Sequence, residues 1–190
     1  MLSTYLESVI LASQSSARKE LLETQGVEVV VRPTWANEVL EEAEPKALVT
    51  ALARRKLDTY LAENPAEQLP VLAFDTIIAF EGNLLGKPAS VEEARLHLFS
   101  FSGRAQHVWS GWALHHNGRY HGDADLAIVH FKQLSSEQIE EYLAGGEWMG
   151  AAGSYRVQGE GSAFIDRIEG DEAVVIGIPL VQMESVLSSL

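Results

Sequence analysis

The chain contains no cysteine among its 190 residues. This absence excludes disulfide bonds, zinc sites built from thiolates and a cysteine nucleophile. Any chemistry that depends on a thiol or thiolate is therefore excluded.

Positive charge is scarce. Lysine and arginine total 14 residues against 27 aspartates and glutamates, which gives a formal net charge of −13. General nucleic-acid binding needs a basic face that neutralises many phosphates, so this balance argues against it. A small phosphate ligand is still compatible, because it needs only a few local cations or a metal held by carboxylates.

Long apolar runs are also absent. No stretch approaches the roughly 20 residues of a membrane span, and Met1–Glu7 lacks the basic region and apolar core of a signal peptide. The length and an ordinary 46% hydrophobic content predict one domain, residues 1–190, with a real core. We therefore expect a soluble cytoplasmic protein that contacts neither nucleic acid nor membrane.

Apolar and polar residues follow a pattern of strands alternating with helices. Capping boxes begin at Ser90 and Ser135, and Asn117-Gly118 is typical of a hairpin turn. Hairpins mixed with helices predict an α/β fold with a mixed rather than purely parallel sheet. The predicted strands are Ser8–Ala12, Val27–Arg32, Val71–Phe80, His107–His115, Arg119–His121, Asp125–Phe131, Ala163–Ile168 and Ala173–Ile178, and the predicted helices are Ser16–Gln25, Pro45–Glu63, Ser90–Ser100, Ser135–Leu143 and Val181–Leu190.

The first strand leads into a hydroxyl-rich turn that contains Ser13 and Ser15, and Arg18 lies in the first turn of the helix that follows. The N–H groups and positive end of a helix N-terminus attract anions, and a guanidinium can bind phosphate through two parallel hydrogen bonds. Gly26 is a suitable residue to end the helix. The segment predicts a phosphate site, and the alternative is a capped surface helix.

Asp75 interrupts the nearly continuous apolar strand Val71–Phe80. A carboxylate there is costly unless it is paired or bound to a metal. It fits either a structural ion pair or a cleft residue that activates water or holds a divalent metal.

Two lysines are candidate cations for the same chemistry. Lys56 lies one helical turn after Leu52, where it fits a surface position equally well, whereas Lys87 is constrained between Gly86 and Pro88. The stretch from Gly82 to Pro88 is not a Walker A loop, because only three residues separate its glycines and Pro88 replaces the required Ser or Thr.

Six blocks, in this order and at these intervals, resemble the Maf family of nucleoside triphosphate pyrophosphatases, also described as septum formation inhibitors. The resemblance extends from about Val9 to Leu187. It implies an α/β fold with a cleft between two lobes of one domain, related to the inosine triphosphate pyrophosphatases. The six blocks, which follow the segment Leu11–Leu22, are Asn37-Glu38, Leu52–Lys56, Phe74–Thr76, Gly86–Pro88, Ser102–His107 and Ala152–Gly159.

The family's activity implies hydrolysis of a nucleoside triphosphate to a nucleoside monophosphate and pyrophosphate. On this basis Asp75 is the proton acceptor, and Glu38 with Asp75 holds a divalent cation, Mg²⁺ or Mn²⁺. Asn37 stands where the family usually has Asp. Lys56 and Lys87 complete the catalytic set, and Ser13, Ser15 and Arg18 bind the phosphates. A homodimer is implied as well.

Substrate choice in the family is linked to three positions, which are Ala17, Thr76 and Gln158 here. Thr76 and Gln158 match the branch that acts on dTTP and UTP, and the Gln158 amide can both donate and accept hydrogen bonds. Ala17 matches neither this branch nor the one that prefers methylated GTP, and Ser16 replaces a family proline. A pyrophosphatase for methylated GTP and a non-catalytic nucleotide-binding regulator of cell division are the alternatives.

Overall fold

The computed structural model describes residues 1–36 and 44–189. Strands are β1 Ser8–Leu11, β2 Glu28–Val31, β3 Val71–Phe80, β4 Asn83–Leu85, β5 Ala105–His116, β6 Arg119–Phe131 and β7 Ile165–Glu169. Helices are α1 Ser16–Thr24, α2 Pro45–Glu63, α3 Val91–Phe101, α4 Ser136–Gly145, α5 Glu172–Ile176 and α6 Leu180–Leu187, with short 3₁₀ turns at Leu2–Thr4, Ala152–Ser154 and Glu160–Phe164.

The sheet is mixed, as predicted. Its strand order is β2-β1-β3-β5-β6-β7, and β4 pairs with β3. Strand β1 runs parallel to both β2 and β3, whereas β3–β4 and β6–β7 are antiparallel pairs. The α/β class of fold expected from the sequence is therefore confirmed.

The chain divides into two compact units, and the long strands β3, β5 and β6 contribute residues to both. The first unit comprises Met1–Asp75, Ser110–Asp125 and Gly177–Leu190. The second comprises Thr76–Trp109 and Leu126–Ile176.

In the first unit, the two faces of the sheet belong to different apolar clusters. Leu72 and Phe74 of β3 pack in one cluster with Trp112 and Met183. Their neighbours on the strand, Val71 and Ala73, point the opposite way because side chains alternate along a strand. These residues pack in a second cluster with Ala53, Leu57 and Tyr60 of α2.

The second unit has a core rich in aromatic residues. Phe101 of α3 contacts Phe80 edge to face and Phe131 at a tilt, with ring centroids 5.1 and 5.3 Å apart. Tyr155 meets Phe131 edge to face at 5.0 Å. These contacts fix α3 and the segment that contains Tyr155 against the ends of β3 and β6.

One predicted strand is wrong. Residues Ala173–Ile178 do not extend the sheet, because Glu172–Ile176 form the short helix α5. The carboxylate of Asp171 accepts a hydrogen bond from the backbone N–H of Ala173 at 2.9 Å and so caps this helix. Burial of Ala173 and Val174 in the helical conformation outweighs the β-propensity of the local sequence.

Two predicted strands are in fact one. Arg119–His121 and Asp125–Phe131 belong to the single strand β6, which continues through Gly122. A Cβ at this glycine would lie 2.6 Å from the carbonyl oxygen of Trp112. The glycine therefore marks a close approach between backbones rather than a turn.

Other elements match the prediction closely. The Asn117-Gly118 turn has positive φ at both residues, and Ser135 forms a complete capping box with Gln138. None of the helices in the described part of the chain is both long and apolar enough to cross a membrane.

Candidate active site

Asp75 is buried at the end of the β3 segment that belongs to the first unit, with only 7% of its surface exposed. It follows Val71 and Ala73 at intervals of two, so its side chain lies on the face of the sheet covered by α2. Lys56 of α2 donates a hydrogen bond from Nζ to Oδ1 of Asp75. The pair offsets the cost of burying each charge.

Lys56 is a buried-face residue of α2, not the surface lysine that its sequence position also allowed. It lies three residues after Ala53 and four before Tyr60, both of which pack toward the sheet. The ion pair and a catalytic role for Asp75 are compatible, because an ionised carboxylate is the form that accepts a proton or binds a cation.

The N-terminus of α1 has the capped geometry that the sequence predicts. Ser15 is the N-cap, and its hydroxyl accepts a hydrogen bond from the backbone N–H of Arg18 at 3.3 Å. The hydroxyl of Ser13 accepts one from the backbone N–H of Ser15 at 3.2 Å. Both serines therefore orient backbone groups at the positive end of a helix.

The Arg18 side chain is anchored on several sides within the first unit. Its Nε donates to the carbonyl oxygen of Gly177 at 3.1 Å, and its Nη1 lies 3.3 Å from the carbonyl oxygen of Phe74 and 3.4 Å from the Ser13 hydroxyl. Phe74 directly precedes Asp75. Arg18 thus connects the N-terminus of α1 to the strand position beside the buried carboxylate.

The specificity positions are accessible to different extents. Ala17 on α1 is half-buried, and Thr76 is half-buried on the face of β3 opposite to Asp75. Gln158 is exposed in the segment between Arg156 and Gly159 of the second unit.

Lys87 is exposed in the second unit, two residues after the end of β4. Helix α3 begins only at Val91, beyond Pro88, so the segment does not open a helix as a Walker A loop does. The carbonyl oxygen of Gly86 accepts a hydrogen bond from the backbone N–H of Gly153 at 3.0 Å. This bond ties the backbone before Lys87 to the turn Ala152–Ser154.

Asn37 and Glu38 lie outside the described residues, so the structure says nothing of their positions. In residues 1–36 and 44–189, no three histidine, aspartate or glutamate side chains come together as a metal site. Within these ranges, Asp75 supplies a buried carboxylate at the candidate site. The pairing of Glu38 with Asp75 around a cation stays a prediction.

A buried histidine supports the turn beside Lys87, and sequence reasoning missed it. The Nδ1 atom of His97 lies 2.7 Å from the hydroxyl of Ser154, whose backbone is left-handed with φ 71°. Burial lowers the pKa of the His97 imidazole, and Glu93, 3.9 Å from its Nε2, acts in the opposite direction. A lone histidine between two leucines of a helix gives no sequence signal for this contact.

The lowered pKa of His97 predicts a pH-dependent contribution to stability. A neutral imidazole is favoured in the fold, so the contribution is complete above the unfolded-state value of about 6.5 and is lost as the pH falls toward the folded-state pKa. We expect the difference in unfolding free energy between wild type and His97→Asn to be larger at pH 7.5 than at pH 5.5. Urea unfolding at both pH values measures it, and a difference that is constant or grows in acid contradicts the prediction.

With this geometry established, comparison with known proteins identifies the family. Residues 8–190 match the family described as Maf-like protein. A dTTP/UTP pyrophosphatase of Pyrococcus abyssi is 37% identical over 172 residues, which cover 90% of each chain. A dTTP/UTP pyrophosphatase of Thermus thermophilus is 38% identical over 179 residues, covering 94% of this chain and 92% of its own. The chain belongs to the Maf-like family.

Among solved structures, the Ham1 protein of Staphylococcus aureus aligns with 65% of this chain and 71% of its own, with 14% identity and a TM-score of 0.45.

Proposed function

We propose that this protein is a nucleoside triphosphate pyrophosphatase, a hydrolase of acid anhydrides, and that dTTP and UTP are its substrates. Family membership and the activity for which its relatives are named support the reaction class. The observation that carries the proposal is local. A buried carboxylate, Asp75, follows the residue whose carbonyl group binds Arg18, and Arg18 belongs to the capped N-terminus of α1.

The reaction exchanges one phosphorus–oxygen bond for another. Water supplies the oxygen of the new bond, the bond between the α- and β-phosphates breaks, and pyrophosphate leaves. Asp75 accepts or directs the proton of that water, as a positioned carboxylate can. Lys56 holds the Asp75 side chain in a single orientation through its hydrogen bond to Oδ1.

The phosphate chain requires cationic and N–H donors. Ser13, Ser15 and Arg18 provide a helix N-terminus with a fixed guanidinium, which is suited to oxyanions. Lys87 acts as a point charge toward a terminal phosphate.

A divalent cation fits the donor set at Asp75. Mg²⁺ is commonly held by one or two carboxylates together with substrate phosphates, so a single buried carboxylate plus Glu38 meets its needs. When bound, the cation offsets the charge that develops on the leaving pyrophosphate. The homodimer and the cytoplasmic location stay predictions from the sequence.

Base choice is assigned to Thr76, Gln158 and Ala17. The first two favour dTTP and UTP, and the names of the relatives agree with this. Ala17 presents only a methyl group at the third position, so it adds no hydrogen bond to either base class.

Pyrophosphate release from dTTP, UTP, CTP, methylated GTP and modified pyrimidine triphosphates, with Mg²⁺ or Mn²⁺, tests the proposal. We expect dTTP and UTP to have the highest kcat/KM. Fastest turnover of methylated GTP would reassign the substrate. Thermal stabilisation by nucleotide without any pyrophosphate release would instead indicate a binding regulator.

A further inference from the structure

The segment Arg156–Gly161, which carries Gln158, is wrapped around one carboxylate of the second unit. Oε2 of Glu147 accepts a hydrogen bond from the backbone N–H of Glu160 at 2.8 Å. Oε1 accepts one from the backbone N–H of Gly161 at 3.0 Å. These N–H groups open the 3₁₀ turn Glu160–Phe164, so Glu147 caps that turn from a distance in sequence.

Glu147 also holds the other end of the segment. Its backbone carbonyl accepts a hydrogen bond from Nε of Arg156 at 3.1 Å, while Nη2 of the same guanidinium donates to the carbonyl of Met149 at 2.8 Å. Both ends of the short segment around Gln158 are therefore bound to one residue.

The fit around this carboxylate is tight. A Cβ added to Gly159, the neighbour of Gln158, would lie 2.2 Å from Oε2 of Glu147. The glycine is required so that the chain can pass this close to the carboxylate. The position of Gln158 is thus set by backbone that lies directly against Glu147.

Tyr142 provides a third hydrogen bond to the Glu147 carboxylate. Its hydroxyl donates to Oε1 of Glu147 at 3.1 Å, and the tyrosine is 4% exposed. Burial, reinforced by the negative charge of Glu147, raises the pKa of the Tyr142 phenol, so the hydroxyl stays a donor at neutral pH. Glu147 therefore has one orientation defined by three donors.

The orientation of the Gln158 side chain affects base choice, because its amide can present either its oxygen or its nitrogen to the same partner. Uracil and thymine present a donor N3–H beside an acceptor O4, whereas cytosine presents an acceptor N3 beside a donor N4 amine. An amide free to rotate satisfies both patterns. A fixed backbone at Gln158 limits the positions from which its amide can reach the base, and so favours one of the two patterns.

We propose that Glu147 is a positioning residue for Gln158 and, through it, for the choice between uracil or thymine and cytosine. This inference rests on the proposed pyrophosphatase function. Glu147 caps the segment and is not assigned a contact with phosphate or base. Its effect on the reaction passes through the amide of Gln158.

A double-mutant cycle tests the assignment. The variants are Glu147→Gln, Gln158→Ala and the double variant, and the readout is the ratio of kcat/KM for UTP to that for CTP. Glu147→Gln keeps the shape of the side chain but replaces one acceptor oxygen with an NH₂ donor. That donor then faces a backbone N–H, so one of the two hydrogen bonds to the segment is lost. Glu141→Gln, an exposed position on α4 with the same change of charge, is the matched control.

We expect Gln158→Ala and Glu147→Gln each to lower the UTP/CTP ratio by about fivefold, and the double variant to fall no further than Gln158→Ala. The control keeps the wild-type ratio. Additive losses, an unchanged ratio in Glu147→Gln, or an unchanged ratio in Gln158→Ala would each overturn the inference. A merely structural role would lower the melting temperature and leave the ratio unchanged.

Tyr142→Phe covers the case in which Glu147→Gln fails to fold. It removes one donor and keeps the carboxylate, and we expect a smaller fall of the same ratio that again disappears in the Gln158→Ala background. An unchanged ratio in folded Tyr142→Phe would then overturn the inference. Failure of the proposed function is distinct, because wild-type protein would release no pyrophosphate from any nucleotide.

Discussion

Asp75→Asn is expected to lower kcat for pyrophosphate release from dTTP by about a thousandfold, the scale of a lost general base. Asparagine matches the shape of aspartate but cannot accept the proton of the attacking water, and it gives a cation no negative charge. Its amide oxygen still accepts the hydrogen bond from Lys56, which donates to Oδ1 in the wild type. The fold and much of the nucleotide affinity should therefore persist.

The effect has to be separated from a general loss of charge. Asp58→Asn is the matched control, because Asp58 lies on the exposed side of α2, where its ion pair with Arg54 is half in solvent. We expect this variant to turn over dTTP at the wild-type rate. Thermal stabilisation of Asp75→Asn by dTTP would show retained binding. A kcat for Asp75→Asn within tenfold of wild type would refute its assignment as the proton acceptor.

The location of this carboxylate could be predicted from the sequence, whereas its partner could not. An acid inside an apolar strand indicates a buried charge whatever the rest of the fold. The partner depends on which helix covers which face of the sheet. Asp75 lies on the same face of the sheet as Val71 and Ala73, because the three residues are spaced two apart along β3. Only the structure shows that the buried side of α2, which includes Lys56, covers this face.

In the segment after Gly170, the local sequence predicts the wrong secondary structure. The run Ala173–Ile178 is rich in β-branched residues, which favours a strand. The structure forms α5 there because Asp171 caps the helix and two of its side chains are buried. A helix of five residues has too few positions for a periodic pattern, so its local sequence cannot reveal it.

For Glu147 and His97, no local sequence pattern indicates the contacts that the structure shows. Glu147 lies in a turn after α4, and its partners are 13 and 14 residues further along the chain. His97 meets a serine 57 residues away. Long-range polar contacts of this kind follow from the packing of the second unit rather than from the spacing of residues.

Gly111 is a position whose structural role the sequence itself indicates. A glycine inside a buried strand often marks a close approach of another backbone. In the first unit a Cβ at Gly111 would lie 2.5 Å from the carbonyl carbon and oxygen of Val49 and 2.8 Å from the backbone nitrogen of Thr50. The backbone of α2 therefore lies directly on β5 at this point.

Gly111→Ala should accordingly be strongly destabilising. The atoms in conflict belong to a helix backbone, which cannot rotate away as a flexible side chain does. We expect the free energy of unfolding to fall by about 3 kcal/mol or more, at the upper end of the cost of overpacking. Urea unfolding measures this difference, and Gly86→Ala, with no atom within 4 Å of the added methyl group, is the control.

The same substitution should affect the Lys56–Asp75 pair through α2. Val49 and Lys56 lie two turns apart on that helix, so a displacement that relieves the contact at Gly111 also moves Lys56 relative to Asp75. Gly111→Ala protein that is still folded at 15 °C is therefore expected to lose kcat as well as stability, since a shift of about 1 Å at a catalytic group can cost about a hundredfold. Wild-type stability in this variant would contradict the close approach of the α2 backbone to β5 at Gly111. Lost stability with wild-type kcat would show that the Lys56–Asp75 pair tolerates movement of the helix.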